Sequence, residues 1–247
     1  MLQIKLLGVL ALNNRNSGFS LTELSIVLVV VALLIAAVVQ GANFLKSAKL
    51  KTVGSEFSEK QAWINGFRTI YNQLPGDFSY AANYWAAAST LSGDEDGEIE
   101  FYNGSAYEGY RAWEHLFYAE IADSEFSGGP SSPSTTAAQI GVDIPDSVVS
   151  NAGYFLDFSN LTFTVNVLSF GAPLSPSSNN MRLDGALSPQ DAFKLDAKLD
   201  DNNPTTGSLR ADDGVNSNAN DCVTAGGAYD TTKTGIDCII GYKLSTE

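Results

Sequence analysis

Gly18-Phe19-Ser20-Leu21-Thr22-Glu23 opens the stretch GFSLTELSIVLVVVALLIAAVVQGANFL, residues 18–45, whose reading decides the fold. From Leu24 to Val39, sixteen residues run with Ser25 as the only polar side chain. With its flanks the segment reaches about 20–27 residues, enough at about 1.5 Å per residue to cross a bilayer. A buried helix of a soluble core is rarely apolar on every face, so a membrane-inserted helix fits better. An ordinary secretory signal has a basic start, a short apolar core and a small-residue cleavage site after that core. Here the polar NNRNSG, residues 13–18, precedes the apolar run and no A-x-A site follows it. Glu23 is the anomaly: a charge at membrane depth costs about 2.5–3.5 kcal/mol on insertion scales, so it needs a partner or an interfacial position.

The combination of Gly18, the aromatic Phe19, Glu23 and the long apolar run in one register resembles the processing site of type IV prepilins and type II secretion pseudopilins. The resemblance implies cleavage by a prepilin peptidase after Gly18 and methylation of the new N-terminal Phe19. It makes residues 1–18 a leader, residues 19–45 a transmembrane or filament-core helix, 46–71 an amphipathic stem and 72–247 an acidic periplasmic or extracellular head. The leader is longer and more apolar than the short basic leaders of the family. Gln40-Gly41 stands where many members have a helix-softening Pro. In a filament of staggered parallel helices, one subunit's ammonium can lie beside another's Glu23. That pair would fix axial register more than it adds net stability, because desolvation offsets the attraction.

Charge is divided sharply along the chain. Residues 1–71 carry 7 basic and 3 acidic residues, residues 72–247 carry 7 basic and 25 acidic ones. A head that acidic repels phosphate backbones and disfavours nucleic acid as a partner. Two Cys and one His exclude zinc fingers, iron–sulfur ligation and multi-His metal centres.

Apolar residues recur at Val53, Phe57, Ile64, Phe67, Ile70 and Tyr71, one face of a continuing helix. Lys46, Lys49, Lys51, Glu56, Glu59, Lys60 and Arg68 occupy its other faces. The breaker cluster Leu74-Pro75-Gly76-Asp77 should end it near Asn72. Beyond it, residues 109–121 read as a helix with Tyr110, Trp113, Phe117 and Ile121 on one face. His115 lies off that stripe, where a surface or packing role outweighs catalysis. Gly128–Ala138 reads as an exposed loop. Tyr154–Phe170 reads as two strands, with Leu161, Phe163, Val165 and Val167 alternating against Thr162, Thr164 and Asn166. Ser188-Pro189-Gln190-Asp191 is a helix start, opening a helix to Leu199 with Phe193 and Leu199 as packing residues. Ser208–Ala211 and Cys238–Leu244 are short strand candidates. The expected fold is α+β and pilin-like: the long N-terminal helix packed on a small antiparallel sheet, with accessory helices and a disulfide-closed C-terminal loop. LPGD after the stem, together with SPQDAFKLDAKLDD, also resembles a subset of proteobacterial prepilin-like proteins.

Cys222 and Cys238 enclose fifteen residues. In an exported head they form a disulfide, and pilins commonly close a C-terminal surface loop this way; the loop Val223–Asp237 is expected to be exposed. Ser92-Gly93-Asp94-Glu95-Asp96-Gly97-Glu98-Ile99-Glu100 invites calcium, with Asp94, Asp96 and Glu98 as candidate ligands. Asp94, Asp96, Gly97 and Ile99 keep EF-hand-like spacing, but Ser92 holds the first ligand position and Asn103 the twelfth, so a water-solvated acidic turn is the stronger reading. Asp200, Asp201, Asp212 and Asp213 form a second acidic cluster with the same ambiguity.

No G-x-S-x-G, phosphate-cradling glycine loop or H-E-x-x-H is present, and one His removes most nucleophile–base pairs, so no enzyme is expected. The leading expectation is a structural subunit of a pilus or pseudopilus. Its partners would be the prepilin peptidase, other pilin or pseudopilin subunits, an inner-membrane assembly platform and the membrane before assembly. A minor tip pilin or adhesin is the second reading, motivated by Tyr80, Tyr84, Trp85, Tyr102, Tyr107 and Tyr110. A membrane-tethered envelope protein that never polymerises is the third.

Overall fold

The computed structural model describes residues 18–85, 92–101, 107–130, 132–158, 161, 163–177 and 180–244. The leader up to Ser17, and the readings placed on Tyr102, Asn103 and Thr162, lie outside them. Helix α1, Leu21–Tyr71, is one continuous element in which Gly41 makes no break. The chain forms two compact units, residues 1–46 and 47–247. In the first, every described residue is exposed.

The second unit is built around the rest of α1. Val53, Phe57, Ile64 and Phe67 are all at most 1% exposed, spaced by four, seven and three as a single helix face requires. Ile70, expected on the same face, is exposed instead, because at about 100° per residue it lies well round the helix from Val53, Phe57 and Ile64, whereas Tyr71 returns to their face and packs against Phe67 and Phe78. Lys60, expected on a polar face, is buried. Its Nζ bonds Glu59 Oε2 at 2.7 Å and lies 4.0 Å from the Trp63 ring centroid, so the stem runs under apolar cover while the charge stays paired. The helix stops where Asn72 turns left-handed, with its N–H closing on Arg68 O at 2.8 Å.

Short α2, Ala81–Tyr84, and α3, Glu108–Tyr118, follow. Then come β1, Gly153–Phe158, β2, Asn166–Pro173, β3, Leu183–Asp184, α4, Pro189–Leu199, β4, Leu209–Asp213, and β5, Cys238–Lys243. The sheet is antiparallel, in the order β1-β2-β5-β4 with β3 on the far end of β2. Phe57 of α1 meets it directly: its ring lies 5.2 Å from Tyr154 of β1, 6.1 Å from Phe170 of β2 and 6.3 Å from Tyr242 of β5.

The alternation over Leu161–Val167 does not make one strand. Leu161 has φ 52°, a left-handed conformation that a strand cannot contain, and β2 begins only at Asn166. Helix α3 is buried almost all round rather than on a stripe: His115 is fully buried, whereas Phe117 and Ile121 are only partly covered. Helix α4 starts as expected, Ser188 accepting from Asp191 N. It buries Ala192, Leu195 and Asp196, and Phe193 stays exposed.

Candidate functional site

At the N-terminus Gly18 and Phe19 precede the helix in exposed, non-helical backbone. Phe19 is 91% exposed, which leaves the Gly18–Phe19 bond open to a protease. Ser20 caps the helix. Its N–H donates to Glu23 Oε2 at 2.8 Å, and Glu23 N–H donates back to Ser20 Oγ at 3.2 Å. This is a reciprocal capping box, spelled out in Ser20-Leu21-Thr22-Glu23, and it adds a capping role to the register and interfacial roles expected of Glu23. The carboxylate stands at the positive end of the helix dipole, a favourable place for it. Past it, Leu24, Ile26, Val27, Leu28, Leu33 and Leu34 are each more than half exposed. This helix is long and apolar enough to cross a membrane, with none of its apolar window buried.

In the head, the acidic loop is assembled by side chains that reach its backbone. Asp77 accepts from Asp96 N at 3.1 Å through Oδ1 and from Gly97 N at 3.0 Å through Oδ2. Glu108, at the start of α3, accepts from Asp94 N and Glu100 N, both at 3.2 Å. Asp157 accepts from Phe101 N at 2.9 Å, and Asn166 brackets the loop by accepting from Ile99 N and donating to Gly97 O. Gly93 must be glycine here, since a Cβ would lie 2.4 Å from the Asp77 backbone.

Burial pushes the clamping carboxyls up. Asp77 rises to about 6, with the charge of Asp96 adding and the amides of Gly97 and Glu95 opposing. Asp157 rises to about 7, burial outweighing the amides of Phe101 and Phe158. Glu108 rises to about 8, burial outweighing the amide of Glu100 while Asp77 and Asp94 add repulsion.

The three residues expected to bind calcium are not brought to one point. Asp94 and Asp96 join Asp77 with oxygens within 4.8 Å of one another, whereas Glu98 groups with Asp96 and Glu100. Asp77, Asp94 and Asp96 are the oxygen set that a hard cation would use. Asp77 was legible as a turn residue, not as a member of this set, because nineteen and twenty positions separate it from the amides it holds.

The second acidic cluster is divided. Asp200 Oδ2 accepts from Ser208 N and Leu209 N, whereas Asp213 holds Asn220 N at 2.7 Å and Cys222 N at 2.5 Å. Cys222 and Cys238 form the expected disulfide, with Cα atoms 5.0 Å apart. The loop it closes is not wholly exposed: Tyr229 is buried and donates to Asp196 Oδ2 at 2.8 Å. His115 is a packing residue whose Nδ1 accepts from Gly76 N at 2.9 Å, with its ring parallel to Phe67. Gly76, at φ 90°, has no room for a Cβ, which would lie 2.5 Å from Glu108 O.

A family model, the prokaryotic N-terminal methylation motif, matches residues 13–39, the prepilin-type signature. No curated protein and no solved structure matches the chain. The matched residues span the Gly18–Phe19 bond, the Glu23 capping box and most of the exposed apolar helix, so the chain carries the N-terminal signature of prepilin-type proteins.

Proposed function

We propose that this protein is a structural subunit of a type IV pilus or a secretion pseudopilus, and not an enzyme. A prepilin peptidase cuts after Gly18 and Phe19 is methylated. The chain waits in the inner membrane, held by its apolar helix with the head in the periplasm. An assembly platform then draws it into a filament with other pilin or pseudopilin subunits. The observation that carries this reading is the apolar surface of α1 from Leu24 to Leu45, exposed along its whole length and lying mostly within the methylation signature. Such a surface needs lipid or neighbouring helices around it. Glu23 sets the stagger by facing the methylated amine of an adjacent subunit. N-terminal sequencing of protein from cells that hold the peptidase tests the first step: methylated Phe19 is expected, and an intact Met1 overturns it. Glu23→Ala should be processed and inserted yet yield no filaments.

The head's acidic loop is the place where calcium would act, through Asp77, Asp94 and Asp96. Calorimetry of the full chain with calcium tests this, heat and a raised melting temperature in wild type being absent from Asp94→Asn. A tip-located binding role is the second reading, favoured by Tyr80 and Tyr84, which are more than half exposed beside Trp85. A tip protein would be scarce in sheared filaments, whereas a major subunit would dominate them.

A further inference from the structure

Helix α4 carries an aromatic side chain that its own core does not use. Phe193 is the only exposed phenylalanine among the described residues of the second unit, at 38%. Its ring meets that of Tyr229 edge to face, 6.0 Å away at 90°. The two line a groove of about 500 Å³ between α4, the segment after it and the disulfide-closed loop, which Gln190, Lys194, Asn202 and Asn203 also line.

The chemistry of this lining is selective. It holds three carboxamides, one ammonium and no carboxylate. A hard cation would need oxygen anions, and a phosphate would need more than one cation in so acidic a head. A peptide strand would need unpaired backbone along one wall. The disulfide loop does not offer it: Gly227 N and Ala228 N are bonded to Thr224, Ala228 O accepts from Thr224 N, and Tyr229 O accepts from Thr231 N. What the groove offers is an aromatic face and amide groups. Gln190 Nε2 is engaged with Thr231 O, which leaves its Oε1 as an acceptor, and Asn203 Oδ1 is engaged by Thr205, which leaves its Nδ2 as a donor. Donors and acceptors beside one ring suit a ligand that has C–H groups on one face and hydroxyls around its edge.

We propose that this groove binds a neutral saccharide, a pyranose ring stacking on Phe193 while its hydroxyls pair with the carboxamides of Gln190, Asn202 and Asn203. The groove lies wholly in the second unit, so its occupancy does not depend on whether the chain polymerises. Failure here leaves the filament reading standing, and failure of assembly leaves this site standing.

Saturation-transfer NMR on the full chain, in micelles of a zwitterionic detergent without a sugar headgroup, tests it with cellobiose and N,N′-diacetylchitobiose as probes. Wild type should transfer magnetisation to the ring protons of at least one disaccharide. Phe193→Ala should reduce that transfer about tenfold or more, and Phe193→Trp should keep it, since the stacking face is retained. Phe193→Trp should melt with wild type, and Phe193→Ala, which gives up the ring contact with Tyr229, should melt only slightly lower because the side chain is part exposed. Raising salt to about 0.5 M should leave the transfer unchanged, as a neutral ligand requires. Absence of transfer from wild type to both disaccharides overturns the proposal. So does equal transfer from Phe193→Ala, or loss of transfer with salt.

Discussion

Ser20 and Glu23 satisfy each other: the serine amide reaches the carboxylate at 2.8 Å, and the glutamate amide reaches the hydroxyl at 3.2 Å. Before assembly, therefore, the one carboxylate at the head of the apolar helix already has a partner within its own first turn. This lowers the penalty of holding it near lipid. It also separates two functions of the same segment. Ser20→Ala removes the hydroxyl that caps the helix and should cost about 1 kcal/mol locally. Hydrogen exchange in micelles should quicken at the Glu23 amide by roughly fivefold, which is that energy expressed as a ratio. Filament yield should fall far less than in Glu23→Ala, because the carboxylate remains.

Phe57 touches rings from three of the five strands, whereas Ile70, on the same helix, touches solvent. Phe57→Ala should destabilise the second unit by about 3–5 kcal/mol, the usual range for deleting a buried aromatic. Ile70→Ala should stay within about 0.5 kcal/mol. Urea unfolding followed by tryptophan fluorescence reads both, since Trp63, Trp85 and Trp113 all lie in this unit.

The contrast between these residues shows what a sequence makes legible. Helix α1 could be read because an unbroken apolar run and then a three-and-four spacing are local signals, as was the start of α4 at Ser188-Pro189. Lys60 could not be placed, because the ring of Tyr154 that covers it with Trp63 comes from β1. Leu161 could not be read as a turn, because nothing in its side chain announces a positive φ. The N-terminal methylation signature is compact and local, which is why it could be read from the sequence. The acidic loop was legible as acidic, but Asp77, Glu108, Asp157 and Asn166 hold it from four separate segments, and only folding joins them.

That clamp makes stability depend on pH in an inverted sense. Asp77, Asp157 and Glu108 have folded-state values of about 6, 7 and 8, against ordinary values of 3.8 for Asp and 4.5 for Glu. A raised value means the fold favours the neutral acid. Its contribution is full below the ordinary value and is lost as pH rises through the folded one. Thermal unfolding of the full chain in micelles should therefore fall from pH 5 to about pH 8. Glu108→Gln, fixed in the neutral form, should show a shallower slope across that window. A melting temperature that climbed over the same range would contradict the clamp.

The disulfide loop should show two separable layers of attachment. Cys222 and Cys238 close fifteen intervening residues, and a loop of that size contributes about 3 kcal/mol through the restricted unfolded chain. Replacing both by Ser should lower stability by roughly that amount. Tyr229 adds the second layer through its bond to Asp196, a carboxylate with no exposed surface. Tyr229→Phe keeps the ring against Phe193 but leaves Asp196 short of one donor, which costs about 1–3 kcal/mol. Asn202 N still bonds the other oxygen of Asp196 at 3.1 Å, so the loss should fall toward the lower end. Chemical denaturation of the two variants and their combination checks this. The effects should add to within about 0.5 kcal/mol if cross-link and hydrogen bond act independently, because the first works on the unfolded chain and the second on the folded one.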